Sequence, residues 1–292
     1  MTNESRREKP RPPRRTPNKP GGNNPRAADQ NRPAPRPGAR MGWDAVAGWY
    51  DGWVGKGGSE HHRKLAIPSV MRLLALKKGE SLLDIGCGQG VLAEQARRGG
   101  AAYTGVDVSP RLLEMARKHH KDNQTRFVQA DACRLAASKD LKAGEFDAAV
   151  FLLSIQDINP LDEALTSAAW ALKPGGRLVM LMTHPCFRIP RQSGWGYDEN
   201  RKLNYRRVDR YLTPLPVPMK AYGGGSGTTM SFHRPLHEYV NGLAAPDVGM
   251  MIDHMDEITT YKADEGRISD KTLAEAEREF PLFMALRARK LA

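Results

Sequence analysis

The chain predicts an α/β fold around a parallel sheet, with the core in residues 78–183. Three observations carry that prediction. Ser81 to Ile85 is a short apolar run with one acid, Asp84, and it runs into Gly86, Gly88 and Gly90. The next two apolar runs, Ala101 to Val106 and Arg126 to Ala130, each close on an acid, Asp107 and Asp131. Segments with helical spacing separate these runs. Acids at three successive strand ends fall on the carboxyl edge of a parallel sheet, where open α/β sheets bind ligands.

The elements follow in order. After the first strand, the glycines make a turn that backbone and ligand can approach closely, since a Cβ there would collide with a bound molecule. Val91 to Arg98 reads as a helix stopped by Gly99-Gly100. Ser109-Pro110 caps and opens a second helix to about His119, with Leu112, Leu113, Met115 and Ala116 as its inner stripe. Phe146 to Leu152 is continuously apolar, as a central parallel strand should be. Leu161 to Leu172 is the following helix, Pro174-Gly175-Gly176 a turn, and Arg177 to Met182 the fifth strand. Upstream, Trp43, Val46, Trp49, Tyr50 and Trp53 fall at near-helical spacing, and Glu60 to Leu76 reads as helix interrupted near Pro68. Residues 184–232 break the alternation with prolines, a Gly223-to-Gly227 run and several aromatics. So long an insertion at the sheet's carboxyl edge reads as a substrate cap, a dimer interface or a flap. Pro235 to Ala244 and Lys271 to Glu279 read as helices, Met250 to Ile258 and Leu282 to Arg289 as the last strands.

The run Asp84-Ile-Gly-Cys-Gly-Gln-Gly90 resembles the first motif of the class I S-adenosylmethionine-dependent methyltransferases. So do Val106-Asp107-Val-Ser109, Gln129-Ala-Asp131-Ala132, Phe146-Asp-Ala-Ala-Val150 and Leu172-Lys-Pro-Gly-Gly176. The resemblance covers roughly residues 81–181. It implies a Rossmann-like seven-stranded sheet with helices on both faces and the last strand antiparallel, and S-adenosyl-L-methionine as cofactor. By the same resemblance Asp107 accepts both ribose hydroxyls, with Val108 beside it. Asp131 and Ala132 meet the adenine, Gly86, Gly88 and Gly90 flank the methionyl part, Asp84 orients its ammonium, and Leu152 lines the site. Tyr50 is open to two roles, an aromatic face over the sulfonium or simple packing of its helix.

On the acceptor side, Gln156 and Asp157 occupy the position after the fourth strand that the resemblance places nearest the methyl group. Asp157 suits a general base if burial raises its pKa, and it equally suits a cap for the helix from Leu161. His184, after the fifth strand, is the other candidate base, with a hydrogen-bonded structural role as its alternative. The Asn/Asp-Pro-Pro-Tyr/Phe signature of amine methylation is absent, and Cys186 stands alone. The expected reaction is O- or C-methylation of a small, partly apolar metabolite, with Arg188, Arg191, Arg206, Arg207 and Arg210 available for an acidic group. The closest general resemblance is to methyltransferases of the quinone-biosynthesis type. The alternative is an RNA or ribosomal-protein methyltransferase recruited by a basic tail.

That tail is residues 1–40, which hold 11 Lys/Arg and 3 Asp/Glu of a chain whose net charge is +12. With nine prolines and almost no large apolar residue, it reads as disordered, open to RNA, anionic lipid or a partner or simply a solvated tail, and it is the one place where nucleic acid could bind. An alternative start at Met41 is open. No run of eighteen apolar residues exists, and the N-terminus lacks the apolar core of a secretory signal. Three scattered cysteines suit a reducing cytoplasm and argue against both a disulfide framework and a zinc site.

Overall fold

The computed structural model describes residues 42–122, 124–220 and 227–291. The tail 1–40, Tyr222 and most of the glycine run after it lie outside the described residues.

The five strands read from the motifs form as β1 (Ser81–Ile85), β2 (Ala102–Asp107), β3 (Thr125–Gln129), β4 (Phe146–Leu152) and β5 (Leu172–Thr183). The closing strands are β10 (Met250–Ile258) and β11 (Phe283–Lys290). Together they make a seven-stranded sheet in the order β10-β11-β5-β4-β1-β2-β3. Strands β1 to β5 pair in parallel, and β11 runs antiparallel to both β5 and β10. The chain steps outward from β1 to β2 and β3, then returns to β4 and β5 on β1's other side. That reversal opens a crevice at the carboxyl ends of β1 and β4.

The strand period sorts side chains between two cores. Leu83, Ile85, Ala149, Phe151, Met180 and Met182 face α5 (Leu161–Ala171) and α6 (Leu236–Ala244). Leu82, Ala148, Val150, Val179 and Leu181 face α2 (Ile67–Leu74), α3 (Ala93–Arg98) and α4 (Pro110–His119). Ser109 caps α4 by accepting from Leu112 N, as its position before Pro110 predicts. The interruption near Pro68 takes a particular form: His62–Ala66 winds as a π-helix and passes directly into α2. Pro68 then sits in α2's first turn, where a missing N–H costs least. The α2 carboxyl end is anchored by buried Arg177, whose guanidinium reaches the carbonyls of Leu74 and Ala75 and pairs with Glu80.

The insertion folds as two ribbons. One is β6 (Ser193–Asp198) with β7 (Leu203–Val208); the other is β8 (Leu215–Lys220) with β9 (Thr228–His233). The first packs on α7 (Lys271–Glu279), with Trp195 Nε1 donating to Glu277 at 2.8 Å and Asn204 donating to Thr272 at 2.7 Å. The second lies against α1 (Trp43–Val54), where Gly42 N donates to Thr228 O at 2.9 Å.

Candidate active site

A cavity of about 230 Å³ opens at the carboxyl ends of β1 to β4. Its floor is the glycine turn, Gly86 and Gly88. Its walls are the ends of β2 (Asp107, Val108), β3 (Asp131, Ala132, Cys133) and β4 (Leu152 to Ser154, then Asp157 to Asn159). Trp43 and Tyr50 of α1 roof it.

Each wall is held by bonds that its local sequence makes available. Buried Asp107 accepts from Gly88 N and from Ser109 N, both at 2.9 Å, one on each carboxylate oxygen. That ties the glycine turn to the end of β2 and leaves further lone pairs on both oxygens. Burial raises the Asp107 pKa, and these N–H donors partly offset the rise. Asp131 is exposed and accepts from Cys133 N at 2.9 Å, an Asx turn at the cavity lip. Gly86 has φ +71, and a Cβ there would sit 2.7 Å from Ser154 Cβ. Ser154 needs that space, since its hydroxyl donates to Ile85 O at 2.7 Å and fixes the β4 exit to β1. Leu153, at φ 55, turns the chain sharply into the cavity wall.

Tyr50 settles over Gly88, whose Cβ would lie 3.5 Å from the Tyr50 ring. Burial, and the charges of Asp157, Asp107 and Asp84, push the Tyr50 phenol pKa well up, so the ring stays neutral. The helix carrying it is fastened to α4: Asp44 accepts from Ser109 Oγ and Arg111 N, and Asp51 meets His119 at 2.9 Å. Gln89 Nε2 donates to Gly55 O at 2.7 Å just beyond its end.

Asp157 closes a 3₁₀ turn, Ile155–Asp157, and faces the cavity. It does not cap α5, whose N-terminus at Pro160 has no side-chain cap. Burial pushes its carboxyl up to about 7, against the lowering effects of a Ser231 hydrogen bond and the nearby Arg234 guanidinium. Arg234 is itself buried and holds the turn by donating to Ile155 O, Ile158 O and Asn159 Oδ1. Ser231 belongs to β9, so the second ribbon supports the cavity wall from behind.

Other expected site residues fall elsewhere. Gln156 turns away, donating to Leu153 O at 2.7 Å. His184 is buried and does not line the cavity. Its Nε2 meets Glu257 at 3.0 Å and its Nδ1 accepts from Cys186 N, so both ring nitrogens are committed. Gly90 packs against Phe127 and His120 instead of the cavity. Among the described residues nothing from 184–232 lines the cavity, and neither does any lysine, arginine or histidine. The arginines expected for an acidic acceptor point elsewhere: Arg206 donates to Phe187 O and Arg188 pairs with Glu277.

Asp84 lies beneath the glycine turn, also out of the lining, with Oδ2 accepting from Tyr103 Oη at 2.7 Å. Its Oδ1 is buried without a partner among the described residues. An orphaned buried acceptor, a glycine floor that a Cβ would fill, and a carboxylate held by two backbone donors suit a cationic adenosyl compound.

A protein-family model described as a methyltransferase domain matches residues 83–180. The structure aligns with an S-adenosylmethionine-dependent methyltransferase from Mesorhizobium loti at 26% identity and a TM-score of 0.61, covering 76% of this chain and 96% of that one. The core of the chain, residues 83–180, is a class I S-adenosylmethionine-dependent methyltransferase domain. Outside the methyltransferase core the likeness thins. A demethylmenaquinone methyltransferase of Tropheryma whipplei is 37% identical over 128 residues, 43% of this chain and 49% of the relative. A ribosomal protein L11 methyltransferase of Burkholderia ambifaria is 38% identical over 110 residues, 36% and 33% respectively. The chain thus spans half or less of the curated relatives it matches.

The methyltransferase core stores an electrostatic cost at Asp84. Burial pushes this carboxyl from 3.8 up to about 7, so the folded state holds a proton that the unfolded chain releases near pH 4. Stability attributable to Asp84 is therefore present at acid pH and falls as pH rises toward 7. Asp84→Asn is expected to remove roughly 2–3 kcal/mol of that fall between pH 5 and pH 7. Chemical unfolding at both pH values checks it. An unchanged pH slope would show that the carboxylate ionises freely.

Proposed function

We propose that this chain transfers the methyl group of S-adenosylmethionine to the oxygen or carbon of a small, partly apolar metabolite, with Asp157 as general base. The observation that supports the reading is one cavity shared by Asp107 and Asp157, with Leu152, Leu153 and Ile158 among its apolar lining. Asp107 would hold the ribose diol, Asp131 and Ala132 the adenine edge, and the backbone at Gly86 and Gly88, with Asp84 below, the methionyl end. Bound there, S-adenosylmethionine supplies an activated methyl group and its own leaving group. Tyr50 covers Gly88 and keeps water from that side. Asp157, with its pKa near 7, takes the proton that a phenolic or enolic acceptor must lose.

A cavity with three aspartates and no basic lining side chain attracts a sulfonium and repels an acidic acceptor group. It also offers no grip on a nucleic-acid backbone, which favours a metabolite over RNA. The similarity to a quinone-pathway enzyme agrees with a phenolic acceptor. The test is incubation with methyl-labelled S-adenosylmethionine and fractionated cell extract. Label in a small organic-soluble product supports the reading. Label in RNA or ribosomal protein, lost when residues 1–40 are removed, overturns it.

A further inference from the structure

Strand β9 joins the roof of the cavity to the wall that holds Asp157. At one end Thr228 O accepts from Gly42 N of α1, and a Cβ added at neighbouring Gly227 would lie 2.6 Å from the Val46 side chain. At the other end His233 Nε2 donates to Tyr211 O at 2.7 Å. Between them Ser231 is buried, and its hydroxyl donates to Asp157. Arg234 follows the strand and is only 4% exposed. Its guanidinium donates to Ile155 O at 3.4 Å, to Ile158 O at 2.7 Å and to Asn159 Oδ1 at 3.0 Å. Those acceptors bracket Asp157 on both sides.

All three acceptors are neutral, and among the described residues no carboxylate forms a salt bridge with the guanidinium. Dipoles satisfy its N–H groups without neutralising it, and a buried cation in that condition is costly. Asp157 is the carboxyl whose ionisation this charge favours. The other ionisable groups around Asp157 bring no positive charge. Tyr50 of α1 and Tyr239 of α6 are phenols whose pKa values burial raises, and Tyr239 also bonds the guanidinium. Asp107 and Asp131, in the same cavity, are further carboxylates. Arg234 is therefore the one cation set against a wall of acids.

We infer that Arg234 and Ser231 are positioning residues for Asp157: the guanidinium is the counter-charge of its carboxylate, and the hydroxyl fixes that carboxylate at the cavity wall. Both lie beyond residues 83–180, so the support comes from the second ribbon and its link to α6, outside the matched methyltransferase domain. Its effect on turnover rests on the reading of Asp157 as general base; the pairing itself does not.

Carboxyl NMR of the full chain, with the Asp157 resonance assigned through Asp157→Asn, tests the pairing without an acceptor. Losing an opposite charge raises a carboxyl pKa. Arg234→Gln should move the Asp157 titration up by at least about one pH unit, and Ser231→Ala by about half a unit. Arg234→Lys gives up the same fork of hydrogen bonds but keeps the charge, so its titration should stay within about 0.3 units of the parent. A merely structural arginine would make the two variants behave alike. Calorimetry with S-adenosylhomocysteine, within a few fold of the parent, identifies a folded variant. Where Arg234→Gln does not fold, Ser231→Ala decides, and an unmoved titration there overturns the assignment. It is also overturned if Arg234→Lys shifts Asp157 as far as Arg234→Gln does. In methyl transfer to the labelled small-molecule fraction, the rising limb of kcat/KM should move with the titration. A titration that moves while the limb stays supports the pairing and removes Asp157 as the base.

Discussion

Asp107→Ala is expected to weaken S-adenosylhomocysteine binding by at least about 100-fold, enough to erase the heat of titration. Two losses combine. The ligand loses a carboxylate that can accept from both ribose hydroxyls, and Gly88 N and Ser109 N lose their shared acceptor. The second loss frees the glycine turn that floors the cavity. Asp107→Asn separates them, because its amide oxygen can still accept one backbone bond while the charge is gone. Thermal unfolding without ligand should then stay near that of the parent, with affinity still strongly reduced. Unchanged affinity in both variants would mean that the adenosyl compound binds elsewhere.

Asp157→Asn is expected to lower kcat by about 10²–10³-fold while leaving S-adenosylhomocysteine affinity within a few fold. The substitution preserves size and can keep the Ser231 hydrogen bond, but it removes the proton acceptor. For the parent enzyme, kcat/KM should rise with pH and level off above about 7, where the carboxyl loses its proton. The variant should lack that rising limb. A parallel loss at every pH would point instead to a role in shaping the wall.

The parts of the site that the sequence reveals are those whose chemistry is local. Asp84, the glycines, Asp107 and Asp131 stand at strand ends, and strand ends are written in runs of a few residues. Trp43 was within reach too: it precedes Tyr50 by seven residues, two helical turns, so both project from one face of α1. Other features depend on distant partners. Nothing near His184 signals that Glu257, 73 residues on, would occupy its Nε2. Nothing in the insertion announces that Trp195 would reach for Glu277 and draw the first ribbon to α7. Asp157 reads as a helix cap until the 3₁₀ turn ends its reach, three residues short of Pro160.

The tethers along α1 bear on turnover. Three sides of the cavity belong to the carboxyl ends of paired strands and the loops that leave them. The fourth is α1, which buries Val46, Ala47 and Val54 and is fastened to α4 by polar links near the surface, Asp44 to Ser109 and Arg111 and Asp51 to His119. Spent cofactor should depart by that side, and its escape should quicken as ionic strength loosens the links.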